Sequence, residues 1–102
     1  GIGLDDIQPE LNAATGIDYS MDDLLKIGER IHNLERVWNL KAGITGADDT
    51  LPKRLLKTGI SAGPAEGRVN RLDVMLPEYY EARGWSSDGV PSAEKLAELG
   101  IV

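Results

Sequence analysis

The stretch "SMDDLLKIGERIHNLERVWNLKAG", Ser20 to Gly43, constrains this chain more than any other. Leu24, Ile27, Gly28, Ile31, Leu34 and Trp38 recur at spacings of three and four, one continuous stripe of a 3.6-residue helix. Ser20 with Asp23 three residues on is a helix-start signal, and Asp22 suits the positive helix end. Lys41 favours the C-terminal end, and Gly43 stops the helix. The stripe predicts a buried face. Gly28 lies on it, where glycine costs about 1 kcal/mol against alanine, so close approach by another helix or a loop is the expected compensation. Asp22, Lys26, Glu29, Arg30 and Asn33 fall on other faces and are expected in water.

The remaining segments read as further helices punctuated by glycine. "DIQPELNAATG" predicts a short first helix, with Pro9 in its opening turn and Gly16 as a left-handed stop. "DDTLPKRLLK" predicts a short third helix, capped by Thr50 or one of the aspartates, with Pro52 in its first turn. Residues 58–71 read as a surface loop joining two halves, with a short strand around Arg68–Val69 as its one extended candidate. "LDVMLPEYYEARG" predicts a fourth helix with Asp73 as N-cap and Gly84 as stop; Met75, Leu76, Tyr79, Tyr80 and Arg83 mix core and rim. Trp85 stands where a hydrophobic residue packs back on the last turn. "SSDGVP" is a turn, and Ser92 caps a last helix that Gly100 ends. The fold class is all-α: a single multihelical domain of about five helices over residues 1–102, with no substantial sheet. At 102 residues it should bury roughly two-thirds of its unfolded surface around one core.

Composition removes several classes of function. Seventeen acids against eleven Lys and Arg give a charge of −6, which disfavours a nucleic-acid partner. The acids gather in residues 1–35 and the bases in 36–76, a polarity expected from two solvated faces. Without cysteine the chain holds no disulfide, thiolate zinc site or cysteine-ligated iron–sulfur cluster, and one histidine excludes a multi-histidine site. No apolar run approaches the roughly 20 residues that span a bilayer, and no signal peptide opens the chain, so the cytoplasm is the default compartment and no membrane partner is expected. The opening "GIGLDD", without methionine, reads as a piece cut from something longer.

No stretch assembles a nucleophile with a base. Asp48 and Asp49 before a helix read as caps or an internal salt bridge rather than as ligands for a divalent cation, whose loops space their oxygens more widely. His32, one position off the apolar stripe, reads as a packed or edge residue rather than a general base. Tyr79, Tyr80 and Trp85 read as core rather than a ring-stacking site. "GIG" has no βαβ context for a dinucleotide, and Lys53 with Arg54 make no basic patch. No residue is assigned a catalytic, cofactor-binding or metal-binding role.

Three stretches together carry a resemblance: "NAATGIDYSMDDLLKIGERIHNLERVWNLKAG", "DDTLPKRLL" and "LDVMLPEYYEARGWSSDGVPSAEKLAELGI". In order and spacing they closely resemble the C-terminal end of the tungsten-containing aldehyde:ferredoxin oxidoreductases, from about Leu11 onward. The resemblance implies a parent enzyme with a β-rich N-terminal domain and two helical domains around a tungsten bis-pterin and a [4Fe-4S] cluster. It implies oxidation of an aldehyde to a carboxylic acid, with electrons passing singly to ferredoxin. Family cluster cysteines and pterin-binding residues lie upstream of this segment, so none transfers to a position here. The segment is expected to pack against the remaining domains, to wall the substrate channel with some of its loops, and by itself to bind neither tungsten, molybdenum nor a cluster. Asp48, Asp49, Pro52 and Arg54 are then expected to serve docking or positioning. A freestanding helical interaction module without redox activity is the alternative.

Overall fold

The structure, a computed structural model, describes residues 1–101. Five helices follow in order: α1 Leu4–Thr15, α2 Met21–Lys41, α3 Lys53–Lys57, α4 Leu72–Arg83 and α5 Ala93–Glu98, with a 3₁₀ turn Gly46–Asp48 before α3. No strand forms among the described residues; the only extended pairing is two isolated bridges, Ile60 with Glu66 and Trp85 with Pro91. The strand expected at Arg68–Val69 is absent: the Arg68 carbonyl accepts one bond, from the Ile60 N–H, and no ladder continues from it.

Helix ends follow local chemistry closely. The Ser20 hydroxyl accepts from Asp23 N–H at 3.1 Å while the Asp23 carboxylate accepts from Ser20 N–H at 2.9 Å, a reciprocal capping box. The Ser20 hydroxyl also donates to the Asp23 carboxylate at 2.7 Å, and this bond, then the one from Ser20 N–H, holds the Asp23 carboxyl below its ordinary pKa. Gly16, Gly43, Gly84 and Gly100 take positive φ at the stops, and the Ser92 hydroxyl caps α5 through Lys95 N–H. Ser20→Ala should cost about 1 kcal/mol, read as roughly fivefold faster hydrogen exchange at the Asp23 and Leu24 amides. Unchanged exchange there would show that the cap is not holding the helix start.

Three boundaries differ from expectation. α1 begins at Leu4, two residues before Asp6, so Pro9 lies past the opening turn and leaves the Asp5 carbonyl without its helical donor. Asp6 explains the early start, because its carboxylate accepts from Gly3 N–H at 2.9 Å. α3 is capped by neither Thr50 nor an aspartate; Pro52 is its N-cap residue and makes no side-chain cap. Asp73 is the second residue of α4 rather than its N-cap, and its carboxylate is taken by the exposed Arg71 at 3.1 Å.

The largest departure concerns the face that α2 turns inward. Asn33, expected in water, is fully buried, and Arg36 is 8% exposed. The apolar stripe instead lies open at Ile31, Leu34 and Trp38. A Cβ added at Gly28 would meet nothing within 4 Å, so among the described residues none makes the close approach expected there. The reason is visible in what packs on α2. Arg30 Nε donates to the Leu99 carbonyl at 2.7 Å, and Lys95 pairs with Glu29 at 2.9 Å, bringing α5 onto the polar face. Glu29 and Glu98 keep Lys95 charged by raising its pKa. At the other end Asn12 clamps the backbone of Tyr19, accepting from its N–H and donating to its carbonyl, which fixes α1 to the start of α2.

The result is open in shape. The radius of gyration is 18.0 Å with extents of 51 × 35 × 21 Å, where a compact chain of this length has about 13 Å. The accessible surface is 7674 Å², against about 5,600 Å² for a compact protein of this mass. Among the described residues the large apolar side chains that are buried are Tyr80, Trp85 and Leu99. The single closed core expected from length does not form within these residues.

Candidate functional site: a polar lock around Arg36

Segments from α2, the Asp48–Asp49 stretch, α4 and the Ser86–Gly89 turn converge in a cluster on the inner face of α2. Arg36 reaches across it. Its two terminal nitrogens bind the two carboxylate oxygens of Asp49, at 3.0 and 2.6 Å, and its Nε donates to the Gly89 carbonyl at 2.8 Å. The planar guanidinium suits this forked, three-way geometry in a way a lysine cannot. The same group lies 5.0 Å over the Trp85 ring. Tyr80 Oη donates to Asp49 Oδ2. Trp85 Nε1 donates to Asn33 Oδ1 at 2.7 Å, and Asn33 Nδ2 donates to the Glu29 carbonyl, so a fully buried amide is satisfied at both ends.

Aromatic rings complete the wall. His32 stacks on Trp85 with centroids 5.7 Å apart and planes 8° apart, and its Nε2 lies 2.8 Å from Tyr79 Oη. Tyr79 meets Trp85 edge-on, and Arg83 covers the Tyr79 ring. Outside the cluster opens a cleft of about 460 Å³ lined by His32, Glu35, Asp48, Leu51, Leu76 and Tyr79 among others.

Electrostatics fix the charge states. Hydrogen bonds from Arg36 hold the Asp49 carboxyl below its usual range, outweighing its partial burial, and Asp49 raises Arg36 in return. Burial, then the bond to Asp49, raises Tyr80, so its hydroxyl stays a donor. Each Asp49 oxygen and all three guanidinium nitrogens are already engaged. The cluster thereby holds Asp49 and the Ser86–Gly89 turn against α2 and α4.

The expected residues distribute as follows. Asp49 makes the internal salt bridge, and Asp48 instead closes the 3₁₀ turn by accepting from Thr45 N–H at 2.8 Å. Tyr80 and Trp85 are buried core, but Tyr79, read as core with them, is 37% exposed at the rim beside His32 and Arg83; His32 is a half-buried edge residue. Lys53 and Arg54, in α3, stay exposed and outside the cluster, as does Pro52. Arg36, Asn33 and Gly89 had no assigned role in the sequence reading. Their available signal was spacing: Glu29, Asn33 and Arg36 recur at four and three residues on the side of α2 opposite the apolar stripe.

The family model described as aldehyde ferredoxin oxidoreductase, domains 2 and 3, matches residues 1–101. Tungsten-containing aldehyde ferredoxin oxidoreductases of Pyrococcus furiosus and Thermococcus kodakarensis are each 56% identical over 102 residues, covering 99% of this chain and 17% of their own length. An aliphatic sulfonate oxidoreductase, WOR-like subunit, from Pyrococcus furiosus is 34% identical over 99 residues, covering 88% of this chain and 16% of that relative. The chain thus spans about one-sixth of these relatives. With nearly every residue matched by the family model, the chain belongs to the aldehyde ferredoxin oxidoreductase family, within its domains 2 and 3.

Proposed function

We propose that this chain is the C-terminal helical portion of a tungsten-dependent aldehyde:ferredoxin oxidoreductase, in which it serves as structural support and substrate-channel wall. The observation that carries the reading is the 56% identity over 99% of the chain to enzymes of that name. The whole enzyme would oxidise an aldehyde to a carboxylic acid, a two-electron reaction, and pass the electrons singly through a [4Fe-4S] cluster to ferredoxin in the cytoplasm. No helix among the described residues is long and apolar enough to cross a membrane.

The residues present do not fit the redox groups. The chain has no cysteine for an iron–sulfur cluster, and among the described residues no three His, Cys, Asp or Glu side chains gather to hold a metal. On this reading the thiolate ligands of a cluster come from other domains, as does the tungsten bis-pterin site, and we assign no catalytic, cofactor-binding or metal-binding role to a residue here. What this chain supplies is shape: the Arg36 lock holds residues 43–51 and 86–89 in place, and a positioned wall excludes water and orients a substrate without touching the electrons.

The test is to produce the complete protein that carries this chain in a tungsten-supplied host and follow aldehyde-dependent reduction of a viologen dye. Acid formation with matching dye reduction is the expected result. A tungsten-loaded, folded protein that leaves every aldehyde class untouched would overturn the reading.

A further inference from the structure

We propose that the exposed ridge Ile31–Leu34–Trp38 of α2 is the seat of another segment of the same polypeptide, an apolar helical surface from the part of domains 2 and 3 outside this chain. This deepens the reading above and rests on it. Ile31, Leu34 and Trp38 are 54%, 56% and 72% exposed. At about 100° per residue, Ile31 lies some 200° from Asn33, and Leu34 and Trp38 each lie some 200° from Arg36. The ridge and the polar lock are therefore back to back on one helix. A shallow groove of about 550 Å³ runs beside the ridge, lined by Leu34, Val37, Trp38 and Lys41 among others. The ridge positions themselves carry no charge, while Glu35 and Lys41 flank them. Such a surface takes an apolar body with a polar margin.

The distribution of exposed apolar surface selects the occupant. A second copy bound about a two-fold axis covers one contiguous patch, about 800 Å² on each partner at standard size and more in an obligate dimer. This chain exposes about 2,000 Å² beyond a compact protein of its mass, its 7674 Å² set against about 5,600 Å². The exposed apolar residues also lie on several elements: Ile2, Leu4 and Ile7 at α1, Ile60 in the loop, Val74 and Met75 on α4. One two-fold contact does not reach them all. A surrounding body does, and the relatives carry one, since the matched stretch is 17% of their length.

Hydroxyl-radical footprinting of the complete protein tests this with the two tryptophans of this chain. Trp85 is 8% exposed and serves as the internal reference. If the ridge were open, the ratio of exposures, 72% to 8%, would make Trp38 react about nine times faster. The expected result is a Trp38 rate matched to that of Trp85, with Leu34 equally protected. A Trp38→Glu variant should unseat the contact and make Leu34 reactive while the Trp85 rate holds. Rapid Trp38 oxidation in the wild type overturns the inference. So does protection that disappears when an oligomer is diluted to protomers, which would name a second copy as the occupant. Aldehyde oxidation on the same sample separates the two readings. An active enzyme with a reactive Trp38 sinks only the seat; an inactive, tungsten-loaded one with a protected Trp38 sinks only the function.

Discussion

Gly89→Ala should unseat the Arg36 lock and destabilise the junction of α2 and α4 by roughly 2–5 kcal/mol. Two costs add: about 1–2 kcal/mol for a side chain in left-handed backbone and roughly 1–3 kcal/mol for overpacking. Gly89 is buried at φ +72°, and an added Cβ would fall against the Arg36 guanidinium and 2.8 Å from Tyr80 Cζ and Oη. Its own carbonyl accepts from Arg36 Nε, so the turn cannot retreat without losing that bond. Hydrogen exchange at the Trp85 and Gly89 amides measures the effect, since both donate within this junction, to the Tyr80 and Ser86 carbonyls. Gly63→Ala is the control. It has φ +94° but nothing within 4 Å, so it carries the conformational cost of about 1–2 kcal/mol alone. Equal losses in the two variants would mean that packing around Gly89 contributes nothing.

Arg36→Ala should have an effect of similar size, about 3 kcal/mol. Breaking a buried pair costs roughly 3–5 kcal/mol, and the lower end applies because Asp49 is 25% exposed and water can partly replace its partner. The variant leaves a carboxylate, the Gly89 carbonyl and the Trp85 face without the group that joins them. Arg36→Lys should recover only part of this, since an ammonium cannot serve the fork and the carbonyl together. Acid titration supplies an independent check. The Asp49 pKa is depressed in the folded state, chiefly by Arg36, so its contribution is complete above the ordinary aspartate value of about 3.9 and is lost as pH falls through the folded value. The wild type should therefore lose protection on acidification below about pH 4, and Arg36→Ala should lose less across that window. A wild type that needs calcium for its stability, with the need abolished in Asp49→Ala, would instead make the aspartate a metal ligand.

The helices of this chain are legible because their causes are local. Ser20 with Asp23, Ser92 at α5, and the stops at Gly16, Gly43, Gly84 and Gly100 each act over four residues or fewer. A reader of the sequence has all the participants in view. The differences at Pro9, Pro52 and Asp73 are shifts of one or two residues, less than a helical turn. Trp85 was legible as core because it follows a helix stop and packs on the preceding turn.

The lock was not legible, and the reason is distance along the chain. Arg36 meets Asp49 across 13 residues, Tyr80 meets Asp49 across 31, and Asn33 meets Trp85 across 52. Hydropathy assigns Asn33 and Arg36 to water because isolated polar groups are costly to bury, and only partners supplied from α4 and the Ser86–Gly89 turn reverse that sign. The Leu24–Trp38 stripe shows the converse. By itself the sequence determined that residues 21–41 are helical and that one face of that helix is apolar, since both follow from spacing and caps. Tertiary structure alone decided that the opposite, polar face is the one this chain covers, because burial depends on which distant groups arrive to satisfy it.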